Sequence, residues 1–267
     1  MVTRRTDLGN LKRMNRRLSA LEAARAIAGE RYPLADLVIL AGSVAIGLGT
    51  PTSDLDLVVV SVQDEDAPFR ESFTDHGWPV EAFVHTPHSL RGFMRMDVAE
   101  RRRSMPRMVS SGKVVRDGAG LAGELRDEAL RMIDAGPPAP SEDELTFRRY
   151  CVTDALEDLR GDPNGDEAPV TAAQLAKQVG ELQLILAGAW IGTGKWLLRE
   201  LRETDPAFAH RFVSSVRASG EGNAEALMRL AGDVLDASGG PMFDGYRASG
   251  ESLLQRFENE EGNATPP

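Results

Sequence analysis

Asp54 and Asp56 are separated by a single leucine in the run Ser53-Asp54-Leu55-Asp56, which leads into Leu57 and three valines. On an extended strand, residues at i and i+2 project from the same face. Both carboxylates then share one side, with Leu55 and Leu57 on the other. Two carboxylates fixed in this way, completed by phosphate oxygens and water, suit magnesium, which takes oxygen ligands in tight octahedral geometry. Nucleotidyl transfer depends on such a site. Its nucleoside triphosphate substrate and pyrophosphate leaving group are heavily charged, and the protein works by metal and positioning more than by covalent chemistry.

Two further features extend this chemistry. Gly42-Ser43 ends a compact apolar run, Leu37 to Ala41, at the point where a strand is expected to hand over to helical turns. Backbone N–H groups there can face a phosphate, glycine allows close approach, and the Ser43 hydroxyl adds a donor. Glu81 lies in a later apolar run with Val80, Ala82 and Phe83 as neighbours. A charged residue in such a strand is costly unless it is paired or holds a metal. If this strand lies beside that of Asp54 and Asp56, the three acids converge. Glu81 then serves as a metal ligand or as the base that takes a proton from an acceptor hydroxyl.

The elements that must position these residues can be read from periodicity. Leu8 to Ala28 has apolar residues at three- and four-residue steps and predicts a helix. Leu37–Ala41, Leu55–Val62 and Val80–His85 predict strands, and Lys113–Val115 a fourth. Val44–Leu48 predicts a helical turn or two, Gly49–Ser53 a loop, and the polar stretch Gln63–Gly77 a segment helical in its middle. A helix starting at Pro87 runs into the arginine cluster, and another spans Leu121–Ile133.

Gly136-Pro137-Pro138-Ala139-Pro140 then marks a boundary. Beyond it the chain predicts helices only. One is opened by Ser141 with Glu144 three residues later and runs toward Leu159. Others follow over Thr171–Trp190, Lys195–Glu203, Pro206–Ala218, Glu221–Ala237 and Gly245–Phe257. The expected fold class is α+β: a short mixed sheet flanked by helices in residues 1–136, an all-α bundle in residues 137–260, and a flexible tail at residues 261–267.

Bulk properties narrow the partners. The chain has 267 residues, 42% of them hydrophobic, and a formal charge of −10. An acidic protein disfavours nucleic acid as a partner, although Arg101-Arg102-Arg103 with Arg107 forms a local basic patch. The single cysteine, Cys151, excludes an intramolecular disulfide and is expected to be buried and inert. Met1 to Arg17 is basic and polar without an apolar stretch, no run is long enough to span a bilayer, and a cytoplasmic protein is expected.

Gly42-Ser43, ten intervening residues and then Asp54-Leu55-Asp56, with Ser53 in front and Glu81 in a later strand, resembles the signature of the DNA polymerase β-like nucleotidyltransferases. The resemblance spans Leu37 to Thr86. The α/β half followed by a helical half is similar in layout to the bacterial enzymes that modify kanamycin and streptomycin. It implies Asp54, Asp56 and Glu81 as catalytic and metal-binding residues, with two magnesium ions and ATP or another nucleoside triphosphate. It also implies nucleotide contacts from Gly42, Ser43 and Ser53, and from Lys195, which follows glycines in Trp190-Ile191-Gly192-Thr193-Gly194-Lys195-Trp196. The implied reaction moves AMP from ATP to a hydroxyl of a small, aminoglycoside-like acceptor and releases pyrophosphate, an antibiotic-resistance chemistry. The alternative is adenylylation of a partner protein as a toxin–antitoxin component. Some enzymes of this layout build one active site from two subunits, so a homodimer is an expected state. The remaining candidates have ordinary explanations. The arginine cluster is expected as a solvated helix face, His85 and His88 form no zinc-like spacing, and Trp78, Trp190 and Trp196 are expected to pack.

Overall fold

The computed structural model describes residues 17–248 and 250. The chain divides into two compact units between Pro137 and Pro138. In the first, α1 (Ala20–Glu30) begins with a capping box: the Ser19 hydroxyl accepts from the Glu22 N–H, and the Glu22 carboxylate accepts from the Ser19 N–H at 3.1 Å. The expected helix from Leu8 therefore appears here from Ala20, and its residues 8–16 lie outside the described residues.

Five strands follow: β1 (Leu37–Ala41), β2 (Leu55–Val60), β3 (Phe69–Asp75), β4 (Trp78–His85) and β5 (Lys113–Asp117). They form one mixed sheet in the order β3-β4-β2-β1-β5. β2 and β4 are parallel, and every other neighbouring pair is antiparallel. Both faces of the central strands are covered, which is why β1 and β2 read as unbroken apolar runs. Val38, Leu40, Leu55, Leu57, Val59, Val80, Ala82 and Val84 pack with Ala23, Ala24 and Ile27 of α1. Leu37, Ile39, Ala41, Val58 and Val60 pack on the other face. Their partners there come from α3 (Pro87–Ala99), α4 (Ser104–Ser111) and α5 (Leu121–Asp134). The four-residue helix α2 (Gly42–Ala45) follows β1 directly.

The stretch Gln63–Gly77 departs from expectation. Its middle is strand β3, not helix. Phe69 to Asp75 alternates with period two: Glu71 and Phe73 face the α1 side, while Arg70, Ser72 and Thr74 are exposed on the other. Asp75-His76-Gly77-Trp78 turns the chain with positive φ at both central residues, 46° at His76 and 80° at Gly77, the conformation that closes a two-residue hairpin. A mostly polar edge strand hides its alternation from a hydrophobicity reading.

The arginine cluster is a second departure. α3 stops at Ala99, and Arg101 lies in the turn before α4 at φ 57° with its side chain buried. It is no part of a solvated helix face.

The second unit contains α6 (Glu142–Gly161), α7 (Ala168–Leu186), α8 (Lys195–Thr204), α9 (Pro206–Gly220) and α10 (Glu225–Ala237), with no strand among its described residues. Ser141 caps α6 by accepting from the Glu144 N–H at 3.1 Å. The core joins Val152, Leu156 and Leu159 to Leu175, Val179, Leu182, Leu201, Phe212 and Leu227. Cys151 is only half-buried, because it lies on α6 beside that buried stripe. Most of the expected helix Gly245–Phe257, and the expected tail at 261–267, lie outside the described residues. Among the described residues, no helix is long and apolar enough to cross a membrane.

Candidate active site

Strand register places the acids. Ala41 pairs with Asp56 across the antiparallel β1/β2 ladder, and Asp56 pairs with Glu81 across the parallel β2/β4 ladder. Asp56, Val58 and Val60 share a face, so Asp56 and Glu81 stand on the side covered further along by α3, α4 and α5. Asp54 precedes β2 by one residue. Carboxylate oxygens of Asp54, Asp56 and Glu81 come within 4.8 Å of one another, and all three side chains are partly exposed.

Gly42 is fixed by two constraints at once. Its φ is 67°, and a Cβ there would fall on the Asp56 carboxylate. The Asp56 side chain thus lies directly over the Gly42 backbone. Ser43 is buried in the first turn of α2, and its carbonyl accepts from the Leu48 N–H at 2.8 Å. The loop from Gly49 to Ser53 is closed by Ser53 itself. Its hydroxyl accepts from the Thr50 N–H at 2.8 Å, and its own N–H donates to the Thr50 carbonyl at 3.0 Å. Ser53 is buried and holds the turn that delivers Asp54. Lys195, by contrast, is an exposed residue at the first position of α8 in the second unit.

Two arginines that the sequence reading did not single out support this site. Arg17 donates to the Pro51 carbonyl at 2.9 Å and the Ser53 carbonyl at 3.2 Å, and its guanidinium lies 3.3 Å from the centroid of the Trp78 ring. It ties the acid-bearing loop to the start of β4. No local pattern could reveal it, since its partners are 34 and 36 residues away. Arg70 on β3 pairs with Glu81, Nη2 to Oε2 at 2.6 Å. Reading Gln63–Gly77 as alternating strand would have placed it on that face.

The three carboxylates fit a magnesium site. Oxygens around an octahedral magnesium stand about 3 Å apart when adjacent and about 4.2 Å when opposite. Without a cation the trio is electrostatically unfavourable: two unit charges at such separations repel by about 4–6 kcal/mol at an effective dielectric of about 20.

Other titratable groups lie apart from the trio. His85, four residues beyond Glu81, is buried, with Nδ1 3.4 Å from the Ser89 hydroxyl and its ring edge-on to Phe93. Its Nε2 is enclosed without a hydrogen-bond partner, and burial pushes its pKa down to about 4. His88 is exposed on α3. A second cluster, Glu30, Asp75 and His76, sits at the β3–β4 turn, where His76 Nε2 lies 3.2 Å from Glu30. That pair joins the turn to the end of α1.

Residues 21–104 match the family model of the nucleotidyltransferase domain. Among solved structures, the chain is similar to a nucleotidyltransferase-like protein from Exiguobacterium sibiricum 255-15. The two are 15% identical with a TM-score of 0.41, over 82% of this chain and 77% of that one. No curated protein matches the sequence. The matched span holds the Gly42 turn, β2, β4 and all three clustered carboxylates, and residues 21–104 are a nucleotidyltransferase domain of the DNA polymerase β-like superfamily.

Proposed function

We propose that the protein transfers a nucleoside monophosphate, AMP from ATP in the first instance, to a hydroxyl of a small-molecule acceptor and releases pyrophosphate. The observation that carries this reading is the convergence of Asp54, Asp56 and Glu81 within 4.8 Å, with the Asp56 carboxylate seated on the Gly42 backbone. Asp54 and Asp56 hold magnesium, which on binding neutralises the triphosphate and activates its α-phosphate toward attack. Gly42 and Ser43 contact the phosphates. Ser53 acts on the nucleotide indirectly, by shaping the loop that presents Asp54. Glu81 completes the metal site or accepts the proton of the acceptor hydroxyl. That hydroxyl oxygen bonds to the α-phosphorus as the bond from phosphorus to the β-phosphate oxygen breaks.

A cationic, aminoglycoside-like acceptor suits a chain of net charge −10 with a cluster of carboxylates at its site. The test is pyrophosphate release from each of the four nucleoside triphosphates with magnesium and a panel of aminoglycosides. Release that depends on one acceptor supports this reading. Release with no small acceptor but with label transferred to a protein would replace it with protein adenylylation. Asp54→Asn should abolish turnover while leaving the circular dichroism spectrum unchanged, and retained turnover would contradict the metal role.

A further inference from the structure

Resting on that reading, we infer that Arg70 is the positioning residue of Glu81, holding its carboxylate in the metal site and away from proton transfer. In the β3/β4 ladder Arg70 stands opposite Phe83, and Ser72 opposite Glu81, so Arg70 and Glu81 are diagonal neighbours on one face. The guanidinium lies 5.0 Å from the Phe83 ring centroid, and its Nη2 forms an ion pair with Glu81 Oε2 at 2.6 Å. A planar cation steadied over a ring and joined to one carboxylate oxygen restricts the rotation of that carboxylate. The oxygen bound to the guanidinium is poorly placed to receive a proton, while the carboxylate as a whole stays within reach of Asp54 and Asp56.

The fold gives Arg70 no comparable duty. Its side chain is 44% exposed, and surface ion pairs contribute little to stability. β3 is already pinned through its other face, where Arg31 grips Glu71 at 2.5 and 3.1 Å and the Tyr32 hydroxyl donates to Glu71 at 2.6 Å. Charge accounts for the arginine instead. Glu81 stands among three carboxylates, and the guanidinium offsets its charge.

Manganese binding followed by electron paramagnetic resonance tests this without requiring turnover. The parent should bind Mn2+, and Asp56→Asn should lose that binding. Arg70→Gln should weaken binding about tenfold, Glu81→Gln by a similar factor, and the double variant no further than Glu81→Gln alone. Arg70→Lys, which keeps the charge without the planar fork, should recover to within about threefold of the parent. Thermal unfolding midpoints of Arg70→Gln and Arg70→Lys should match the parent. Binding by Arg70→Gln as tight as the parent, or a tenfold loss repeated in the Glu81→Gln background, would overturn the role of Arg70 and leave the metal site standing. Parent-like binding by Asp56→Asn, or no binding by the parent, would bring down the metal reading together with it.

Discussion

Gly42 carries the tightest steric constraint in the site. Its left-handed φ and the contact with Asp56 leave no room for a side chain. Gly42→Ala should therefore destabilise the protein by about 1–3 kcal/mol and displace Asp56, so urea unfolding and metal binding should fail together. A variant that unfolds with the parent's midpoint and binds metal normally would show that the turn can relax. His85 makes a second residue-scale prediction. Its folded pKa of about 4 lies below the ordinary value of 6.5, so the unfolded chain takes up a proton first as pH falls. The stabilisation is complete above pH 6.5 and is lost as pH drops toward 4, by about 3 kcal/mol in all. Urea unfolding at pH 7 and pH 4.5 should show this slope, and His85→Leu should flatten it. The positions of Asp54 and Asp56 on one face were legible in the sequence because i, i+2 parity needs no tertiary information. Arg17 was not, since its partners are 34 and 36 residues away, and Arg70 was missed because its segment reads as helix instead of the strand beside Glu81.

At the scale of elements, hydrophobic runs gave reliable strands where both faces are buried, as in β1 and β2. The method failed at β3, where Arg70, Glu71, Ser72 and Thr74 dilute the alternation and only Phe73 marks the core side. The His76-Gly77 turn was the available clue, with two residues of positive φ between strands. The arginine cluster was misread for a related reason. Composition alone does not show that α3 has ended before Arg101, whose buried side chain belongs to a turn. The helix start capped by Ser141 was legible, whereas the Ser19–Glu22 box that opens α1 was not, and the first makes a direct prediction. Ser141→Ala should cost about 1 kcal/mol by removing the acceptor for the Glu144 N–H. Urea unfolding would measure it, and metal binding in the first unit should be unchanged.

For the whole molecule, the sequence separates a chain of alternating strands and helices from one of helices alone, and the structure divides it between Pro137 and Pro138. The nucleotide chemistry is proposed for the first unit, where the family match and the carboxylates coincide. The acceptor is the least legible part, because no motif encodes a small-molecule cavity and charge alone suggests a cationic ligand. The central claim, that Asp54, Asp56 and Glu81 bind a nucleoside triphosphate through a divalent metal, is tested most directly by calorimetric titration. A non-hydrolysable ATP analogue, and its counterparts for the other three bases, would be titrated into the parent and into Asp56→Asn, with magnesium and with EDTA. The account predicts binding by the parent that requires magnesium and is at least about a hundredfold weaker in Asp56→Asn. Equal binding in EDTA, or by the variant, would contradict it.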